Sequence, residues 1–296
     1  MSVAEAPNTV IRRGRGLVRT VANKLFRFTE RRLGFHITPV HYYSPIPDVG
    51  RLPKKVFDEV NDCCGLEFHR IEQQKILEDL VPKYLEEFLP QANSGLSQVD
   101  AFILYSMIRL KKPKVFIEIG SGESTKVSLL SLTRNRTNGI DSSFVAIEPF
   151  PRDYLREIGE KGFRLIESNV QDVPLSTFAD ADILFIDSSH VSKIGSDVNY
   201  EILNIIPRLK VGALVHWHDI MIPADYPRAW IESGRMFWNE SYVVHAFMLY
   251  NKSFRIIWAS RYMQLYDAAR LARMFPYFKP EDPDQQLSSF WIERVG

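Results

Sequence analysis

The chain has 296 residues, enough for one large domain or two small ones. Hydrophobic residues at 45% and charged residues at 25% exclude a disordered, collagenous or coiled-coil protein. Lys and Arg total 37 against 36 Asp and Glu, so a net charge of +1 gives no general pull toward nucleic acid, and no such partner is expected.

The average hides a basic start. Between Val10 and Arg32 lie eight Lys/Arg against one acid, Glu30, while Leu17, Val21 and Leu25 recur at helical spacing. Such an amphipathic helix suits an anionic membrane surface, as a peripheral contact, or an acidic partner. The alternative is a tail whose apolar side packs on the domain behind it. An Arg-rich, acid-poor start also resembles a mitochondrial presequence, while the continuous apolar core of a secretory signal is missing. The only cysteines, Cys63 and Cys64, are neighbours and build no framework of cross-links. They read as reduced thiols in a cytoplasmic protein, peripheral at the membrane if the basic start binds there.

Residues 34–55 carry four prolines and should run extended. Helical patterns follow at about 68–89 and 97–110, the second capped by Ser97. Lys114–Ile119 is then a short apolar run ending in glycines, as a buried parallel strand should. Further runs lie at Ser143–Ile147, Arg164–Glu167, Asp182–Ile186 and Ala213–Trp217, separated by helical stretches at about 124–134, 151–161 and 195–209. Phe254–Ala259 and Ser289–Val295 add two more strands, the last antiparallel. The pattern predicts an α/β fold with a doubly wound, mostly parallel seven-stranded sheet, Rossmann-like, over 96–296. A basic segment over 1–35 and an extended and helical cap over 36–95 precede it.

The first strand runs into Glu118, Ile119, Gly120, Ser121, Gly122, Glu123, Ser124 and Thr125. Glycines at 120 and 122 let the backbone turn sharply and approach a ligand at the start of the next helix. The third glycine of a dinucleotide fingerprint is replaced by Thr125, and the next strand ends in Glu148. This E-x-G-x-G-x-x-T turn followed by a strand-end acid resembles the class I S-adenosylmethionine-dependent methyltransferases. The resemblance implies that Glu118, Gly120, Ser121, Gly122 and Thr125 hold the methionine and ribose part of S-adenosylmethionine. Glu148 would take the ribose hydroxyls, since one carboxylate accepts two donors. Gln171 or Asp172, after the third strand, would meet adenine.

Two further strand ends concentrate polar residues where ligands sit in a doubly wound sheet, Asp187-Ser188-Ser189-His190 and His216-Trp217-His218-Asp219. In catechol-type O-methyltransferases, which these ends resemble, the fourth strand ends in an aspartate followed three residues later by a base. Placed here, the aspartate is Asp187 and the base is His190, where that subgroup usually has lysine; a neutral imidazole suits the task. His190 could equally cap the following helix. The acid–amide pair that completes a magnesium site there becomes His218 and Asp219. With Asp187 they would hold a divalent metal, manganese, iron or zinc suiting the histidine better than magnesium. His216, further back on the strand, reads as structural, and Asp197 as a helix start. Tyr226, Arg228, Trp230 and Trp238 sit in an insertion beside this site and suggest an acceptor pocket, or a small aromatic core.

The pairing of FIDSSHVSKIGSDVNYE with VHWHDIMIPADYPRAW is similar to a bacterial subgroup often called methyltransferase family 24. The resemblance implies O-methylation of a hydroxyl on a small molecule or a glycan, by in-line displacement, with homo-oligomer formation left open. Three rivals remain: a nicotinamide oxidoreductase, opposed by the missing glycine; a metal-dependent oxygenase on a methyltransferase-like fold; and a non-catalytic cofactor-binding module.

Overall fold

In a computed structural model of the chain, the residues described are 24–37, 40–88, 95–282 and 284–296. The chain divides into two units, Met1–Pro53 and Lys54–Gly296. In the first, residues 24–33 are helical, with Leu25 and Phe28 exposed among Lys24, Arg27 and Arg31. The rest of the predicted basic helix, residues 10–23, lies outside the described residues. The second unit starts well before residue 96, because the helix Arg70–Tyr84 buries Leu77 and Leu80 in the same core as Phe102 and Phe275. No helix among the described residues is long and apolar enough to cross a membrane. Cys63 and Cys64 are both free thiols.

The described residues form one sheet of seven strands, β1 (Val115–Ile119), β2 (Ser143–Ile147), β3 (Phe163–Ile166), β4 (Ile183–Ile186), β5 (Leu214–Trp217), β6 (Phe254–Ala259) and β7 (Phe290–Arg294). Their order across the sheet is β3-β2-β1-β4-β5-β7-β6. The first five are parallel, and β7 runs antiparallel to both β5 and β6, as the sequence predicts. Alternation of side chains splits the apolar residues between two faces. Ile117, Ile119, Leu184 and Ile186 pack under Val198, Ile202 and Ile205, while Phe116, Phe144 and Phe185 pack under the helix Gln98–Lys111. Both faces are covered, which is why these strands read as continuous apolar runs.

Two predicted helices are shorter than their patterns. The stretch 151–161 forms a single turn, Asp153–Arg156, before Gly159 and Gly162. The stretch 195–209 starts as an α-helix at Asp197–Tyr200, widens to a π-turn over Glu201–Ile205 and tightens at Ile206–Arg208. Pro207 has no N–H for the carbonyl four residues back, so the regular ladder cannot run through it. The helix Glu240–Met248 is not among the predicted elements.

Ser97 caps the helix Gln98–Lys111 by accepting from the Asp100 N–H at 3.0 Å. Asp100 itself is fully buried and accepts from the Ser97 hydroxyl at 2.8 Å, from the Ser260 hydroxyl and from the N–H groups of Ser288 and Ser289 at 3.0 and 3.3 Å. This carboxylate ties the helix start to the chain entering β7. Asp100→Ala should lower the unfolding free energy in urea by about 3 kcal/mol, because two buried N–H groups lose their acceptor. A loss below about 1 kcal/mol would mean that the segment before β7 finds other partners.

Candidate active site

The order of the parallel strands reverses between β1 and β4, and ligands bind such sheets at that crevice. Here the crevice is a cavity of about 460 Å³ lined by Gly120, Glu148, Phe150, Gln171, Asp187 and Lys193, among others. Gly120 has φ +79° and lies so close to β4 that a Cβ would stand 1.8 Å from the carbonyl oxygen of Asp187. Gly122 is different, since a Cβ there meets nothing within 4 Å. Only the first glycine of the motif is required by contact.

Glu118 and Thr125 do not line the cavity. Side-chain alternation turns Glu118 away from Ile117 and Ile119, toward the helix Ser124–Thr137, where it accepts from Ser124 Oγ at 2.8 Å and Thr125 Oγ1 at 2.9 Å. Thr125 Oγ1 also accepts from the Gly122 N–H at 3.1 Å. Burial pushes the Glu118 carboxyl up to about 8, against the pull of both hydroxyls. These residues brace the turn from beneath. The Ser121 hydroxyl, in the turn itself, is buried without a partner among the described residues.

Glu148 stands at the end of β2, half-buried, and accepts from the Phe150 N–H at 2.8 Å. Gln171 lines the cavity with its amide donating to the Gly195 carbonyl at 2.9 Å. Asp172 does not: it is exposed and accepts from Asn169 Nδ2 at 3.3 Å. Asp197 follows the cap residue Ser196, and its carboxylate accepts from the Ser189 N–H at 2.9 Å. Phe150, 87% exposed at the cavity, carries no sequence signal beyond its place after Glu148.

The ends of β4 and β5 bring Asp187, His190, His218 and Asp219 together. His190 Nε2 lies 3.2 Å from Asp187 Oδ1 and 3.8 Å from Asp219 Oδ2; His218 Nδ1 lies 3.6 Å from Asp187 Oδ1 and 3.4 Å from Asp219 Oδ1. The other nitrogen of His190, Nδ1, lies 2.9 Å from Glu240 Oε2. Burial would lower the His190 pKa, but hydrogen bonds to Asp187 and Glu240 push it up to about 10. Burial likewise opposes, and His218 and His190 overcome, so the Asp187 carboxyl lies well below the usual carboxylate range. His218 is raised by Asp219 and Asp187 despite its burial. Both ring nitrogens of His190 thus face carboxylates, which favours its protonated form over the free base that its position in the sequence suggests; it does not cap the helix that follows, where Ser196 is the cap.

The atoms of Asp187, His218 and Asp219 that could bind a cation lie within 4.8 Å of one another. Ser288 Oγ donates to Asp219 Oδ1 at 3.0 Å and lies 3.2 Å from His218 Nε2. Having spent its proton on Asp219, the hydroxyl accepts from His218 Nε2–H, which leaves Nδ1 facing the two carboxylates. His216 is structural, as expected: it stacks on Phe185 at 4.4 Å, meets Ser289 Oγ at 2.9 Å, and burial keeps it neutral.

Of the four predicted acceptor residues, Trp238 reaches the cluster, its ring 4.4 Å from His190. Trp230 leans on Trp238 at 5.4 Å. Tyr226 is buried with its hydroxyl accepting from the Ser241 N–H at 3.0 Å, and belongs to the aromatic core. Arg228 is directed elsewhere, pairing with Glu232 at 3.0 Å and lying over the Phe57 ring at 4.5 Å. Glu240, Ser288 and Asp100 are functional-site supports that the sequence gives no reason to select.

The glycine turn supplies a paired test. Gly120→Ala should cost about 3 kcal/mol of stability or prevent folding, from both the φ and the clash with Asp187. Gly122→Ala should change stability by less than about 1 kcal/mol. Thermal unfolding of the two variants side by side decides it, and equal effects would place the constraint elsewhere.

Comparison with known proteins addresses the family of the chain. An uncharacterized protein of Archaeoglobus fulgidus is 34% identical over 170 residues, which cover 50% of this chain and 75% of that one. Among solved structures, an S-adenosylhomocysteine-bound methyltransferase from Podospora anserina aligns over 100% of both chains at 13% identity, TM-score 0.43. The O-methyltransferase TomG of Streptomyces achromogenes, involved in tomaymycin synthesis, aligns with S-adenosylmethionine bound over 74% of this chain and 89% of that one, at 14% identity and TM-score 0.42. Residues 117–220, from β1 through the end of β5, match the family profile described as a methyltransferase domain, and the chain belongs to that family, methyltransferase family 24.

Proposed function

We propose that this protein transfers the methyl group of S-adenosylmethionine to a hydroxyl oxygen of a small molecule or glycan. The observation that carries the reading is the double membership of Asp187. The residue lines the cavity that runs from Gly120 to Gln171, and its carboxylate is held by His190 and His218. A ligand in the cavity and a hydroxyl at the cluster would meet at this residue.

The residues fit the cofactor. Gly120 lines the cavity with backbone alone, a Cβ there being excluded by the Asp187 carbonyl, and the Ser121 hydroxyl is a buried donor and acceptor without a partner among the described residues. Glu148 offers carboxylate oxygens where a ribose diol needs an acceptor, with Phe150 and Gln171 beyond it for a flat base. When bound, S-adenosylmethionine supplies a methyl on a sulfonium, already a good leaving group. The protein's task is then to place the acceptor oxygen and to take its proton.

Both ring nitrogens of His190 engage carboxylates, so Asp187 is the better proton acceptor. An oxygen gaining a third substituent becomes strongly acidic, and a weakly basic carboxylate can accept its proton late in the transfer. His190 and His218 both engage Asp187 Oδ1, and Oδ2 has no partner among the described residues. Trp238 provides a face against which a sugar or an aryl ring can lie. Asp187, His218 and Asp219 would hold a divalent cation, with manganese, iron or zinc favoured by the imidazole.

Calorimetry with S-adenosylhomocysteine tests the reading before any acceptor is known. The wild type should bind at micromolar concentration, and Glu148→Ala should lose about 100-fold, the loss of two hydrogen bonds to a charged group. Asp187→Asn should keep that affinity within a few-fold while abolishing transfer in an acceptor screen. No binding by the wild type would overturn the assignment.

A further inference from the structure

We propose that Glu240 is a positioning residue: it holds His190 from the side opposite Asp187 and, through His190, keeps one oxygen of Asp187 turned toward the acceptor. The proposal rests on the methyltransferase reading above.

Glu240 opens the helix Glu240–Met248 and is 1% exposed. It grips His190 twice. Its Oε2 lies 2.9 Å from Nδ1 of the ring, and its own N–H, with that of Asn239, donates to the His190 carbonyl at 3.2 and 3.1 Å. Asn239 closes the same junction with its side chain, accepting from the Ser192 N–H at 2.6 Å and donating to the Ser192 carbonyl at 3.2 Å. His190 itself is left-handed, with φ +59°, a conformation that a side chain with a Cβ adopts only where its surroundings impose it.

The two nitrogens of an imidazole are fixed relative to each other, so anchoring Nδ1 aims Nε2. Here Nε2 is aimed at Asp187 Oδ1, at 3.2 Å, with Asp219 Oδ2 beyond at 3.8 Å. Without an acceptor at Nδ1, a half-turn of the ring would present carbon to Asp187. Asp187 would then lose its closest restraint, since the His218 contact is longer, 3.6 Å. The second oxygen of Glu240 is buried without a hydrogen-bond partner among the described residues, although the charges of Asp187, Asp197 and Glu201 oppose its ionisation. A carboxylate is costly to keep there for packing alone.

Imidazole N–H signals of isotope-labelled protein decide the matter, with His190→Asn to assign them and S-adenosylhomocysteine as the ligand probe. The wild type should show slowly exchanging signals for both Nδ1–H and Nε2–H of His190. Glu240→Ala should lose both, including the one on the Asp187 side that Glu240 does not touch. Its affinity for S-adenosylhomocysteine should stay within a few-fold, because neither Glu240 nor His190 lines the cavity. Glu240→Gln, whose amide oxygen still accepts from Nδ1–H, should keep both signals. Should Glu240→Ala fail to fold, Glu240→Met fills the space without an acceptor and gives the same comparison. An Nε2–H signal that survives unchanged in Glu240→Ala or Glu240→Met overturns the proposal, as does the absence of both signals from the wild type. Failure of the wild type to bind S-adenosylhomocysteine would instead remove the methyltransferase reading and leave the His190 result standing by itself.

Discussion

The site depends on how closely β1 and β4 approach at the point where strand order reverses. With room for no Cβ between residue 120 and the Asp187 carbonyl, the turn after β1 is pressed onto the end of β4. That contact places a cavity and a carboxylate side by side without any specialised loop. The brace beneath follows from it. A turn under such compression needs its next helix fixed, and Glu118 does so by taking both Ser124 and Thr125 hydroxyls from the other face of the sheet. The acid of the glycine motif is thereby structural, while the acid at the end of β2 is left open to the cavity.

Charge balance is the second constraint. Two carboxylates, Asp187 and Asp219, and two imidazoles, His190 and His218, lie together, all buried but the partly exposed Asp187, and each sign supports the other. The carboxylates hold both imidazoles toward their protonated forms, with Glu240 adding to the pull on His190, so a cation entering between Asp187, His218 and Asp219 would have to displace a proton from the His218 ring. Cation binding there would grow stronger as pH rises, since the ring must shed that proton first. Behind the cluster, Asp100 holds the backbone of Ser288 while the Ser288 hydroxyl sets which nitrogen of His218 looks inward.

Much of this was legible in the sequence where chemistry is local. Apolar runs gave β1, β2 and β6 nearly residue for residue, Ser97 announced its helix, and alternation along β5 put His216 and His218 on one side with the inner one structural. What failed had a partner far along the chain or a direction that spacing alone does not settle. Glu118 and Thr125 look identical to ligand residues until the helix packed on one face of β1 turns them inward. His190 looks like a free base until Glu240, 50 residues on, takes its other nitrogen. Asp100 reaches Ser288 across 188 residues, and no pattern of period two or 3.6 encodes such a pair.

The aromatic insertion and the Asp–His cluster are mechanically one piece. Trp238 lies against His190, Asn239 is bonded to Ser192 through both its side-chain groups, and Glu240 holds the His190 ring and carbonyl. Three consecutive residues of the insertion thus grip the loop that leaves β4. An acceptor pressing on the Trp238 face would act directly on the residue that orients Asp187. In the proposed reaction, selection of the acceptor and placement of the proton-accepting oxygen would not be separable tasks. A change in the insertion that altered which ring could stack would also alter the aim of His190. Acceptor preference in the proposed reaction should shift together with turnover, because the ring offered to the acceptor, Trp238, is only two residues from Glu240, which orients His190.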